Sequence, residues 1–194
     1  FIRVYSSREK SKAMAKNESP QDLYGCCLML RHRFVGLCGE DGDPRSFRLT
    51  LYRVTARHNK RPQDLERVIP YVVGNGADPG ETGLVVSARC GVIGMAARTG
   101  DVARCHRTGG TEKEFRQEMI TTYSFSEQEA RQLDETRWSW LAIPIRDAQS
   151  RVDGVLYLDS SKKDCFSDDV CSQVVAACEG LRDFIDRRYG NGRN

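Results

Sequence analysis

The chain has 194 residues, 39% of them hydrophobic and 29% charged, which suffices for one well-buried core and falls short of two. No apolar run approaches the roughly 20 residues that a membrane-crossing helix requires. The formal net charge of +3 resides in residues 1–19, where Arg3, Arg8, Lys10, Lys12 and Lys16 outnumber Glu9 and Glu18. The body therefore has no global basic field, and no nucleic-acid partner is expected.

Residues 1–19 read as a basic linker, or as the juxtamembrane tail of a membrane tether upstream of Phe1. Residues 20–188 form the predicted domain, and residues 189–194 a flexible C-terminal tail. The eight cysteines include no CxxC pair and mostly fall at apolar positions of helical patterns. They read as small hydrophobes in a reducing, cytoplasmic compartment.

Ser19-Pro20 opens a helix of about 18 residues, with Leu23, Cys26, Cys27, Leu30, Phe34 and Leu37 on one face and Gly36 and Gly39 at its end. Residues 47–54 alternate with period two, placing Phe47, Leu49 and Leu51 on one side of a strand. A long basic connection follows, and Arg67–Val73 is predicted as the partner strand, interrupted by Pro70. Gly74–Gly83 is turn chemistry. Gly91, Gly94 and Ala97 suit a short helix lying close to a sheet, with Gly100 as its left-handed stop.

Residues 104–137 are polar, and Thr111 with Glu114 and Ser126 with Glu129 match two capping boxes. Trp140–Arg146 and Val152–Asp159 read as strands joined by the turn Asp147–Ser150. Ser167, Asp168 and Asp169 then cap a long helix whose predicted buried stripe is Cys171, Val174, Val175, Cys178, Leu181 and Ile185.

At this point the chain resembles the GAF family. The likeness is carried by Gly91–Gly100 (GVIGMAARTG), Ser139–Ile145 (SWLAIPI), Val152–Asp159 (VDGVLYLD) and the helix start Phe166-Ser167-Asp168-Asp169. The resemblance as a whole covers about residues 21–188, and its specificity lies in the joint order and spacing of these stretches. The resemblance implies an α/β (α+β) fold with a central antiparallel sheet of five or six strands. The terminal helices would cover one face, and the variable segment 101–137 would roof a pocket on the other. It further implies a small-molecule ligand of unknown identity and a homodimer through the terminal helices. Trp140, Leu141, Ile143 and Tyr157, or their opposite-face neighbours, would contact the ligand from the strands. Phe115, Met119 and Tyr123 would meet it from the roof. No cofactor is named by these residues.

Cys105-His106 is similar to the bilin tether of some relatives, but the gap to Ser139 is too long for that pattern, and a surface-loop thiol is expected. Cys90 and Cys105 are the candidate redox pair, by resemblance to GAF-type methionine-sulfoxide reductases. The chain offers no resolving thiol between Cys105 and Cys165, so no catalytic residue is assigned. The dispersed Asn-Lys-Phe-Asp-Glu signature of cyclic-nucleotide binders cannot be placed in order. His32, His58 and His106 lie in different elements, so no metal site is expected.

One of Trp138 and Trp140 should face the pocket or its rim. Arg53, Arg57, Lys60, Arg61 and Arg67 read as solvated hairpin charge, with docking to an acidic partner or nucleic acid as the alternative. The leading expectation is a non-catalytic sensory domain that signals to an attached module. The alternatives are a dimerisation module with a vestigial pocket, and a thiol redox sensor or reductase.

Overall fold

Helix α1 (Pro20–Cys38) follows from the spacing of its apolar residues. Leu23, Cys27, Phe34 and Cys38 are buried along one stripe, while Cys26, Leu30 and Leu37 flank it half-buried. Gly36 sits inside the helix on its exposed side and does not end it. The computed structural model describes residues 20–38, 45–59, 61–74, 76–77, 82–147 and 149–189, with 20–22, 76–77 and 179–189 as backbone only. Of the expected tails, 1–19 and 189–194, residues 1–19 and 190–194 lie outside the described residues while Tyr189 ends the last helix, and half of the glycine-rich run 74–83 lies outside them too.

The strands are β1 (Phe47–His58), β2 (Arg61–Arg67), β3 (Val72–Val73), β4 (Gly76–Ala77), β5 (Val85–Ser87), β6 (Ala103–His106), β7 (Ser139–Arg146) and β8 (Val152–Ser160). The antiparallel sheet has eight strands, against the five or six expected, and the order along its main path is β4-β3-β1-β8-β7-β6. β2 and β5 add a flap beside the second half of β1.

The first hairpin differs from expectation. β2 begins at Arg61, three positions after β1 ends at His58, and Asn59 turns the chain there with a left-handed φ of 48°. The predicted strand Arg67–Val73 survives only at its two ends, since Pro70 has no N–H to pair. Between those ends the chain crosses over, pinned by the Thr50 hydroxyl donating to the Ile69 carbonyl at 2.8 Å. β6 is an additional edge strand paired with β7, so Cys105 and His106 belong to the sheet and not to a surface loop.

The remaining helices are α2 (Gly91–Thr99), α3 (Glu112–Thr121), α4 (Glu127–Ala130) and α5 (Asp168–Tyr189). Gly100 ends α2 at φ 74°, donating to the Ala96 carbonyl. Both capping boxes are formed, at Thr111/Glu114 and Ser126/Glu129. The Ser167 hydroxyl caps α5 by accepting from the Val170 amide at 3.3 Å. Val170, Val174 and Cys178 are buried on α5, whereas Val175 is exposed, a correction that shifts the stripe by part of a turn. The predicted stripe members Leu181 and Ile185 lie where no side chain is described.

The sheet separates two layers. On one side α1 and α5 pack onto Phe47, Leu49, Leu51, Leu141, Ile143, Ile145, Leu156 and Leu158. On the other, α2 lies on β7 and β8, and α3 with α4 stands further out. Gly94 lets α2 approach: a Cβ there would come within 2.5 Å of the Ala88 carbonyl oxygen.

Candidate functional site

Between the sheet and the α3–α4 layer lies a cavity of about 360 Å³. Its floor is built by the residues of β1, β7 and β8 that alternate with the helix-facing set: Arg48 and Tyr52, Trp140, Tyr157 and Asp159. Because side chains alternate along a strand, Leu141 and Ile143 point the other way and pack against the terminal helices. Their assignment to the ligand side is corrected on that ground, and the neighbour Trp140 occupies the position. The roof supplies Phe115 and Met119 from α3, Tyr123 and Phe125 from the following turn, and Leu133 beyond α4. Phe115 and Trp140 stack across the space with ring centroids 6.1 Å apart. Five of the seven predicted contact residues thus line one cavity.

The roof is held by Arg107, a residue that sequence inspection passed over. Its guanidinium is buried and donates to the carbonyls of Gly109, Gly110, Thr111 and Glu135 at 2.6, 3.2, 2.9 and 2.7 Å. It also stacks over the Phe115 and Trp138 rings, each 4.7 Å from the centroid. Trp138 serves this clamp, and Trp140 is the tryptophan that faces the cavity. The chain enters α2 beneath the roof at Gly91, whose φ is 72° and whose amide donates to the Tyr123 carbonyl at 2.8 Å. A Cβ at Gly91 would meet the Phe125 ring at 2.8 Å.

One wall is charged. Arg48 makes a bidentate pair with Asp159 at 2.8 and 2.9 Å and reaches Asp134 at 3.0 Å. Arg137 contacts Asp134 at 3.1 Å and Asp159 at 3.5 Å, and donates to the Arg45 and Ser46 carbonyls. Burial raises the Asp159 pKa above its ordinary value, and the guanidiniums of Arg48 and Arg137 pull against that shift. At Asp134 burial also pushes upward, but the Thr136 hydroxyl and amide, with Arg137 and Arg48, outweigh it and hold the group at about 2.

Beside this network Arg67 turns inward from the end of β2, its guanidinium 4.5 Å from the Tyr71 ring centroid and 5.9 Å from that of Tyr52. Tyr71 carries Arg48 on the same terms, at 4.5 Å. The supposed hairpin charge cluster is therefore dispersed. Arg67 lines the cavity, Arg53 pairs with Glu66 at 2.8 Å, and Arg57 pairs with Asp153 at 2.6 Å. Arg61 alone of the described members is exposed, and Lys60 lies outside the described residues.

The thiols are poorly disposed to react. Cys90 lines the cavity, but burial, then Glu129, raises its pKa. Cys105 sits opposite Trp140 on the edge strand, outside the cavity lining, and burial pushes its pKa up to about 12 against the opposing hydrogen bond with Tyr123. All eight cysteines are unbridged. Among the described residues no three His, Cys, Asp or Glu side chains converge as a metal site. Nor is any described helix long and apolar enough to cross a membrane.

No protein-family model matches the chain, and no curated protein matches it by sequence. Solved structures do match. The GAF domain of an Acinetobacter phosphoenolpyruvate-protein phosphotransferase aligns over 95% of this chain and 93% of its own, with a TM-score of 0.56 at 14% identity. The GAF domain of a two-component sensor histidine kinase from Bacillus halodurans aligns over 85% and 97%, with a TM-score of 0.53 at 15% identity. A type II free methionine-R-sulfoxide reductase from Thermoplasma acidophilum aligns over 84% and 96%, with a TM-score of 0.50 at 14% identity. At such identities the likeness concerns the fold, and the fold is GAF-like.

Proposed function

We propose that this chain is a non-catalytic sensory module that binds a small molecule between its sheet and the α3–α4 roof. The observation that carries the reading is the cavity itself, walled by stacked aromatics on one part and by an ordered charge network on another. Sites for small ligands are commonly apolar hollows of about 300–1,000 Å³ with a few convergent polar groups. Ligand would tighten a roof already pinned by Arg107 and bias a pre-existing equilibrium felt across the sheet by α1 and α5.

The reductase alternative shares the fold, yet only one cysteine, Cys90, lines this cavity, and burial disfavours its thiolate. A thiol cycle needs an attacking thiolate and a resolving partner. In the same reading the module works as a symmetric dimer through α1 and α5, whose exposed apolar side chains Met29 and Val175 support a contact there.

Native mass spectrometry of gently purified protein tests the ligand, with a retained small molecule expected. Protein that carries none, and whose melting temperature stays fixed across a metabolite panel, would overturn the reading. Turnover of free methionine sulfoxide that is lost in Cys90→Ser would replace it with an enzyme.

A further inference from the structure

We propose that the cavity selects a small organic anion with an apolar body, and that Arg67 is the residue that takes its charge. The inference rests on the ligand-binding reading above and goes on to name the chemistry of the ligand. Arg67 is 8% exposed and lines the cavity, yet the only hydrogen bond of its guanidinium among the described residues is a long one, from Nε to the Tyr52 hydroxyl at 3.4 Å. No carboxylate among the described residues pairs with it.

The other charges of the wall are already spoken for. Arg48 and Arg137 share Asp134 and Asp159. Glu129 is committed to the Ser126 amide and hydroxyl, both at 2.7 Å. Arg67 is thus a buried guanidinium close to two tyrosine rings, lining the cavity with no hydrogen-bond partner for its two Nη groups among the described residues.

Taking an arginine out of water without an acid beside it is expensive, and arginine stays protonated. A planar carboxylate, phosphate or sulfonate matches that fork with two parallel hydrogen bonds. A bare inorganic anion would satisfy Arg67 and leave the aromatic walls of Phe115, Trp140 and Tyr157 unfilled. A wholly apolar molecule would fill the walls and leave Arg67 unmatched. A ligand combining both features meets every part of the lining.

A matched pair of dyes separates these cases: anilinonaphthalene sulfonate, and phenylnaphthylamine, the same body without the anion. Each is titrated by fluorescence into wild type, Arg67→Met, Arg67→Lys and the exposed control Arg61→Met. Wild type and the control are expected to bind both dyes. Arg67→Met should weaken the sulfonate by about tenfold or more, the worth of a hydrogen bond to a charged group, and leave the neutral dye within about twofold.

Arg67→Lys keeps the charge without the fork and should fall between. If Arg67→Met does not fold, Arg67→Lys decides: the preference for the sulfonate over the neutral dye must shrink. Sulfonate binding that is indifferent to Arg67 overturns this inference and leaves the ligand reading standing. Wild type that binds neither dye overturns the ligand reading, and this inference with it.

Discussion

The two faces of the sheet are made from the same strands and behave as different materials. The helix side presents Leu49, Leu51, Leu141, Ile143, Leu156 and Leu158, flexible aliphatic side chains that interdigitate with α1 and α5. One residue along each strand, the cavity side presents Arg48, Tyr52, Trp140, Tyr157 and Asp159. Branched aliphatics fill space to crystalline density. Flat rings and guanidiniums stack and pair at fixed distances, so a layer of them leaves a hollow unless something is fitted to it. The lesson is that a strand buried on both faces can still be asymmetric: one face packs against the terminal helices and the other borders a cavity.

That contrast can be broken most severely from the charged wall. Arg48→Met leaves Asp159 buried without its bidentate partner and with only the 3.5 Å contact to Arg137. A loss of about 3–5 kcal/mol at neutral pH is expected, the usual cost of stranding one member of a buried pair. Chemical denaturation checks it, and part of the loss should return on acidification, as Asp159 takes a proton. A variant as stable as wild type would mean that the wall is decorative.

On the opposite face, Leu141→Ala should cost about 2–5 kcal/mol through lost burial and the void left behind. It should leave dye binding in the cavity unchanged, because Leu141 is fully buried on the helix side. Altered dye affinity with little loss of stability would reverse the assignment of the two faces. Smaller still is Gly91→Ala, which forces an alanine to φ 72° and drives its Cβ into the Phe125 ring. About 1–3 kcal/mol is expected, with faster amide exchange across residues 123–126 of the roof.

The comparison also explains what could be read from the sequence. Helices with a single apolar stripe were legible, and so were the capping boxes at Thr111 and Ser126, because those signals are local. The faces of β7 were not, since Trp140, Leu141, Ala142 and Ile143 are all buried and give no polar alternation. Hydropathy cannot say which side faces the cavity when neither side is wet. β6 was missed because ARCH is a short edge strand with Arg104 and His106 among its four residues, stabilised by pairing to β7 more than by its own composition. The inward turn of Arg67 was invisible for a related reason. An arginine at a hairpin end reads as solvated unless the crossover that places Tyr71 beneath it is known.

The smallest effect expected is at Asp134, where the charged wall meets solvent. Its pKa is held at about 2 in the fold, against an ordinary value of 3.8. A carboxylate depressed in this way contributes stability that is fully present above the ordinary value and drains away as the pH falls toward the folded value. Asp134→Asn has no such proton to bind. Wild type should therefore be the more stable protein above pH 3.8, and its advantage should vanish as the pH approaches 2. The side chain is 37% exposed, so water and salt screen the interaction and the advantage is small. Asp159 works with the opposite sign: its raised pKa makes the fold gain from protonation as the pH drops. The raw acid-denaturation curve mixes the two groups, and the difference between wild type and Asp134→Asn isolates one of them. A difference that is constant with pH would show that Asp134 is held down neither by Thr136 nor by Arg137 and Arg48. The wall would then be a single Arg48–Asp159 pair with a solvated neighbour, in place of a connected network.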